Sequence, residues 1–336
     1  MKIGDFDLDQ QVLIVAEIGN NHEGNFEIAR EMVEEAAKCG VDAVKFQTFK
    51  TEHYVNQADS ARFERLKSFE LTYPEFEELS NLAHSQGLMF ISTPFDLASA
   101  SFLNGIVDSY KIASGDNAFY PLMEKVALSG KPMIVSTGIS HAEQVKKTVE
   151  FIKQTWTNNN IIGQLAILHC VSSYPVPSDQ ANLRSIQFLI ENFDDTIGYS
   201  DHTLGIEAAI LAIALGAKII EKHFTLDKNF SDFRDHQLSA DPLEMRNLVQ
   251  KIRLTSLMLG ENQKRIERCE EGLVTAIRRS IVVGRDMSAG HCIAKSDLTW
   301  LRPSEGLVPG EEEALIGKLL KRDVSFGEQL SVTDVE

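Results

Sequence analysis

Eight short apolar runs punctuate residues 12 to 258, and a longer amphipathic stretch follows each of them. They are VLIVAE (12–17), DAVKFQ (42–47), LMFIST (88–93), SYKIAS (109–114), PMIVST (132–137), LAILHC (165–170), TIGYSD (196–201) and KIIEKH (218–223). Runs of this length bounded by turn residues read as strands. Stretches such as FEIAREMVEEAAKCG, PEFEELSNLAHSQG and GIEAAILAIALGA have apolar residues at helical spacing, and several close on a Gly that stops the helix. Strands alternating with helices require a parallel sheet with crossovers. Eight such units over about 250 residues predict an α/β fold, a (β/α)8 TIM barrel. An open doubly wound sheet is the rival, and the absence of a GxGxxG turn counts against it.

The last sixty residues change character, with short strand-like runs and frequent Gly, Ser and Asp. DMSAGHCIAKSDL (286–298) and DVSFGEQLSVTDV (323–335) are copies of one pattern. Two copies are too few for a solenoid and predict a small pseudo-symmetric β-rich module. The charged segment GENQKRIERCEEG (260–272) marks the junction. The expected organisation is a catalytic barrel over 1–259, a linker over 260–276 and a C-terminal module over 277–336.

Forty-nine acidic against 33 basic residues leave a formal net charge of −16. Such a surface repels nucleic acid and anionic membrane, so neither is an expected partner. An anionic substrate needs a local basic pocket. The four cysteines show no CxxC spacing, as expected of reduced thiols. The N-terminal MKIGDFDLDQQVLIVAEIG has too short an apolar run for a signal-peptide core. A cytoplasmic location is the expectation.

Barrel enzymes place their reactive groups at the C-terminal strand ends, and here all eight ends are polar. The first carries Glu17, the second Lys45 and Gln47, the third Ser92 and Thr93, and the fourth Lys111 and Ser114. The fifth carries Ser136 and Thr137, the sixth His169 followed by Ser172 and Tyr174, the seventh Ser200 and His202, and the eighth Glu221 and His223. Residues two apart share a strand face, which pairs Lys45 with Gln47, Ser200 with His202, and Glu221 with His223, and turns Lys222 away as a structural residue.

Lys45 and Lys111 among hydroxyls suit a small polyanion, although either lysine alone could be a snorkelling side chain. His202 and His223 on adjacent strands can converge on one divalent cation with open positions, Mn²⁺ before Mg²⁺ or Co²⁺. The competing reading is two ordinary polar-cluster histidines. Cys170 reads as a buried structural thiol rather than a nucleophile.

The segments AEIGNNHEG (16–24), VKFQTF (44–49), STPFD (92–96), YKIASGD (110–116), STGIS (136–140), HCVSSYPVP (169–177), YSDHT (199–203) and EKHFTLDK (221–228) together resemble the sialic acid synthase family, in order and in spacing. The C-terminal module, with WLRPSEG (300–306), resembles that family's antifreeze-like (SAF) domain. The resemblance implies condensation of phosphoenolpyruvate with an open-chain N-acetylated amino sugar in a domain-swapped homodimer. The acceptor is N-acetylmannosamine or a 2,4-diacetamido-trideoxy hexose, and the products are a nine-carbon 2-keto acid and phosphate.

The resemblance also implies roles for residues. Lys45, Thr93, Lys111, Ser114, Ser136, Ser172, Tyr174 and Ser200 surround phosphoenolpyruvate; Glu17, Gln47 and Asp235 face the sugar; His202 and His223 bind metal. Arg302 reaches a partner subunit's barrel. SDFRDHQLSADP (231–242) departs from the family's Gly-Pro-Asp before Asp235, which bears on the acceptor. The NNHEG and FQTF forms speak against a pseudaminic product. Three rivals stay open: a Schiff-base sialic acid lyase using Lys45 or Lys111, another phosphoenolpyruvate-dependent keto-sugar acid synthase, and a carbohydrate- or ice-binding protein with an inert barrel.

Overall fold

Eight parallel strands hydrogen-bond in a closed ring in the computed structural model, which describes residues 1–336. A hairpin of β1 (Lys2–Ile3) and β2 (Phe6–Asp7) precedes them. The ring consists of β3 (Leu13–Gly19), β4 (Ala43–Thr48), β5 (Met89–Pro94), β6 (Ser109–Ile112), β7 (Met133–Ser136), β8 (Leu165–Cys170), β9 (Thr196–Asp201) and β10 (Ile219–His223). β10 pairs with both β9 and β3, and that contact closes the barrel. The fold is the expected TIM barrel with a small C-terminal module. No helix is long and apolar enough to cross a membrane.

Local signals place the helices. Asn25 caps the helix Phe26–Cys39 by accepting from the Glu27 and Ile28 amides, and Gly40 ends it at φ 82°. Its buried Ala29, Met32, Val33 and Ala36 form one stripe against the sheet. Thr72 and Glu75 form a capping box on the helix Tyr73–Ser85.

Strand alternation then sorts each ring strand into two columns. Outward residues such as Ile14, Ala16 and Ile18 join the large core beneath the helices. Inward residues start apolar: Leu13, Val15, Ala43, Ile91, Ile134, Ala166, Leu168 and Ile219 fill the lower barrel with Ile3 and Leu8 of the N-terminal segment. A fully buried Leu or Ile here stabilises by about 1.5–3 kcal/mol. Further along, the same inward column turns polar, through Glu17, Lys45, Lys111, Ser136, Glu221 and His223. The barrel is thus packed at one end and chemically loaded at the other.

The chain divides into compact units at Met1–Gly260 and Glu261–Glu336. In the second, β11 (Ser280–Val283) pairs antiparallel with β12 (Leu298–Leu301). The two sequence copies meet through the Met287–Val324 bridge. Their equivalent apolar positions, Met287 with Val324, Ile293 with Leu330 and Leu298 with Val335, share one core. Each copy ends in a short 3-10 turn, Lys295–Asp297 and Val332–Asp334.

Candidate active site

A bulge at the end of β3 shifts the register between Glu17 and Gly19. Gly19 takes φ +54°, and a Cβ there would come within 3.1 Å of Glu17 Oε1 and 3.2 Å of Gln47 Nε2. Glycine therefore lets the chain turn while both side chains enter the barrel.

On the floor, Lys45 Nζ lies 2.6 Å from Glu17 Oε2 and 3.8 Å from Glu221 Oε2. Lys111 Nζ lies 3.0 Å from Glu221 Oε1. Lys45 also donates to Thr93 Oγ1 at 3.3 Å, Ser200 Oγ to Glu221 Oε1 at 2.9 Å, and Gln47 Nε2 to Glu17 Oε1 at 3.2 Å. All four charges are buried. Burial opposes the charge on Glu17 and, with Glu221 beside it, raises its pKa despite Lys45. Burial would likewise lower Lys45, but Glu17 and Glu221 outweigh it and the ammonium is held above its usual range. Burial leaves Lys111 lowered. Glu221 resists burial because Lys111 and Lys45 face it, and its pKa falls.

The hydroxyls of Ser136 and Ser172 are buried and have no hydrogen-bond partner. Gly138 donates its amide to Ser114 Oγ at 3.0 Å. A Cβ on Gly138 would stand 2.3 Å from Ser172 Oγ and 2.7 Å from Ser114 Oγ. This is a cradle of donors kept open by a glycine, suited to an anion's oxygens.

His202 and His223 meet with ring centroids 5.3 Å apart and planes tilted by 55°. His202 Nδ1 donates to the Val171 carbonyl at 2.9 Å, which leaves Nε2 its lone pair. Burial lowers the His202 pKa, Cys170 and Val171 raise it, and the balance is upward. His223 is held neutral, far below the usual range, by burial and by His202 and Lys45. Its Nδ1 is buried without a partner. No group of three or more His, Cys, Asp or Glu side chains forms a ready cation cage. Two neutral-capable imidazoles with an orphaned ring nitrogen fit a divalent cation that keeps positions open, and do not fit a closed structural site.

Above this floor opens a cavity of about 740 Å³ lined by Asn20, Gln47, Ser114, Ser172, Tyr174, His223 and Asp235, among others. Loops interlock around it. His236, fully buried, bonds Glu23 Oε1 at 3.1 Å and Thr225 Oγ1 at 2.7 Å. Phe233 packs edge-on against Phe69 at 5.2 Å. Arg234 stacks over Tyr174 at 4.5 Å and pairs with Asp235 at 3.2 Å. Burial raises the Asp235 pKa against the pull of Arg234.

Every barrel residue to which the family resemblance gave a role lines the floor or this cavity, whereas His169 turns to the Ala181 carbonyl. Arg302 belongs to the second unit. Sequence reasoning passed over Asn20, Tyr54, Arg62, Arg65, Asp116 and Gly138, which line or shape the site. Asn20, Asp116 and Gly138 sit inside the family-like segments, so those segments held the signal. Tyr54, Arg62 and Arg65 sit on helices after β4 that no strand-end argument reaches. Ser92 and Thr137 turn away, to Thr48 and the Phe46 carbonyl, and to the Leu168 carbonyl.

Comparison with known proteins agrees with this architecture. Residues 32–264 match the NeuB family, and residues 278–336 match the SAF domain. An uncharacterized protein of Methanocaldococcus jannaschii is 43% identical, over 96% of this chain and 95% of that protein. The N,N'-diacetyllegionaminic acid synthase of Legionella pneumophila is 39% identical, over 96% of this chain and 94% of its own length. The N-acetylneuraminic acid (sialic acid) synthetase of Leptospira borgpetersenii, solved with citrate, superposes with a TM-score of 0.76 at 34% identity, covering 82% of this chain and 94% of that one. The chain belongs to the NeuB family and carries a SAF domain at its C-terminal end.

Proposed function

We propose that this chain is a sialic acid-type synthase joining phosphoenolpyruvate to an open-chain N-acetylated amino sugar, with release of phosphate. The observation that carries the reading is the meeting of two buried ammoniums with two imidazoles at one barrel mouth. Phosphoenolpyruvate is a small polyanion, and Lys45, Lys111 and the hydroxyls of Thr93, Ser114, Ser136, Ser172 and Ser200 offer it donors. Tyr174 walls the site beside His202. Glu17, Gln47 and Asp235 face the acceptor, and Glu221 is the counter-ion of both lysines.

A divalent cation on His202 and His223, Mn²⁺ foremost, would polarise the acceptor's aldehyde. The methylene carbon of phosphoenolpyruvate forms the new C–C bond there, and positive charge builds at its C2. Glu17, 2.6 Å from Lys45, lies where it can stabilise that charge or hold a proton at Oε1. Water adds at C2, and cleavage of the C–O bond expels phosphate. Lys45 and Lys111 hold the anionic groups throughout.

The legionaminic acid synthase likeness favours a 2,4-diacetamido-trideoxy hexose as acceptor over N-acetylmannosamine. The setting proposed is a cytoplasmic, domain-swapped homodimer in which Arg302 completes the partner's site. Phosphate release from phosphoenolpyruvate with Mn²⁺, measured against a panel of both sugar types, tests the reading. Release that requires one sugar and the metal supports it and names the acceptor. No release with any acceptor from folded, metal-loaded protein sinks it.

A further inference from the structure

Behind the two imidazoles, on the sheet face turned away from the cavity, lies an ion pair sealed from solvent. Lys222 and Asp201 are 1% and 0% exposed, and Lys222 Nζ stands 3.0 Å from Asp201 Oδ2. The same ammonium donates to the Thr203 carbonyl. Asp201 Oδ1 accepts from the Thr203 amide and hydroxyl, each at 2.8 Å, and from Tyr199 Oη at 3.1 Å. The residue before His223 thus reaches across the sheet and grips the residues on both sides of His202.

The β9–β10 ladder ends at the Lys222–Asp201 pair, one residue short of His202 and His223. Beyond it, the His202 carbonyl accepts from Val176 N at 3.0 Å and the His223 carbonyl from Ala240 N at 2.7 Å. These bonds fix each histidine to a different loop, and neither joins one histidine to the other. The clamp from Lys222 continues where the ladder stops. Stability alone does not account for charges at this position, because apolar side chains of the same volume hold two layers together at least as well as a buried ion pair. Fixed geometry between two strand ends is what a buried, fully bonded pair adds.

We infer that Lys222 and Asp201 are positioning residues that set the spacing and tilt of His202 and His223 for a divalent cation. The inference rests on the reading of those histidines as cation ligands. Its test uses the full chain carrying Asp201→Asn with Lys222→Met, which removes both charges and keeps the volume and the Thr203 acceptor. Mn²⁺ alone is titrated and followed by electron paramagnetic resonance, with thermal unfolding and metal-free phosphoenolpyruvate affinity measured beside it. The expected result is a Mn²⁺ Kd weakened by about tenfold or more, with phosphoenolpyruvate affinity unchanged, since Lys45 and Lys111 stand on other strands and the neighbouring Ser200 and Glu221 face the opposite side of the sheet, bonded to each other. Mn²⁺ affinity within twofold of the parent overturns the inference, and so does an equal loss of phosphoenolpyruvate affinity, which marks general loosening. If the double variant does not fold, Asp201→Asn alone is read by the same two criteria. A parent chain that binds no Mn²⁺ overturns the inference together with the reading beneath it, whereas a parent that binds beside an unchanged variant overturns the inference alone.

Discussion

Glu17 and Lys45 meet at 2.6 Å in the barrel floor, both almost wholly excluded from water. The contact joins neighbouring positions of β3 and β4 and sets a carboxyl whose proton affinity is raised beside an ammonium that stays charged. Glu17→Gln keeps the shape and removes the charge. Steady-state phosphate release should show kcat lower by about 100-fold, with no rise in the phosphoenolpyruvate KM. A kcat within threefold of the parent would take Glu17 out of the chemistry.

His202→Ala should abolish both Mn²⁺ binding and Mn²⁺-dependent turnover while circular dichroism stays that of the parent. The ring packs on Tyr174 and His223 at the polar end of the barrel, apart from the apolar residues that fill its lower end. Full activity in a Mn²⁺-supplemented assay removes the ligand assignment.

Gly138→Ala tests the anion cradle. The new methyl would stand 2.3 Å from Ser172 Oγ and 2.7 Å from Ser114 Oγ, so those hydroxyls must move. The phosphoenolpyruvate KM should rise by about tenfold or more, and the melting temperature should barely change. An unaltered KM would mean that the serines do not hold the anion.

Asp116 lines the cavity without an ion-pair partner, and burial raises its pKa to about 6 from 3.8. The folded state holds this proton more tightly than the unfolded one, so its contribution to stability is greatest below the unfolded pKa. It is lost as pH rises through the folded value near 6. Asp116→Asn should therefore raise the melting temperature at about pH 8, with the gain shrinking toward pH 4. An equal gain at both ends of that range contradicts the shift.

Arg302→Ala should raise the sugar KM by about tenfold and spare the phosphoenolpyruvate KM, the signature of a lost hydrogen bond to the acceptor. Mixing this variant with His202→Ala separates reach within a chain from reach between chains. In a swapped dimer the mixture regains about a quarter of parental activity, because each mixed dimer has one intact site. No recovery in mixed dimers places Arg302 elsewhere.

The barrel was readable because alternation operates twice along this chain. Strand follows helix in sequence, and within each strand Leu13, Val15 and Glu17 share one face while Ile14, Ala16 and Ile18 share the other. Glu17 therefore announced its direction by its spacing from Val15. Asp235 and Arg302 had no such register and were found only through family likeness. Asn20, Arg62 and Gly138 escaped, because what makes them matter is distance across the fold, as between Gly138 and Ser172, and no local pattern encodes that. The ion pairs of Glu221 with Lys45 and Lys111 are equally non-local. Strand ends showed the charges and could not show that they neutralise one another.

Ile3 and Leu8 stopper the barrel's lower end among Leu13, Ala43, Ile134 and Ile219. A vessel sealed below has a single door, so traffic through it is last in, first out. Under the proposed reaction, the anion seated against Lys45 and Lys111 would have to arrive before the sugar that covers it. The stopper, far from the reacting atoms, would thereby dictate a queue.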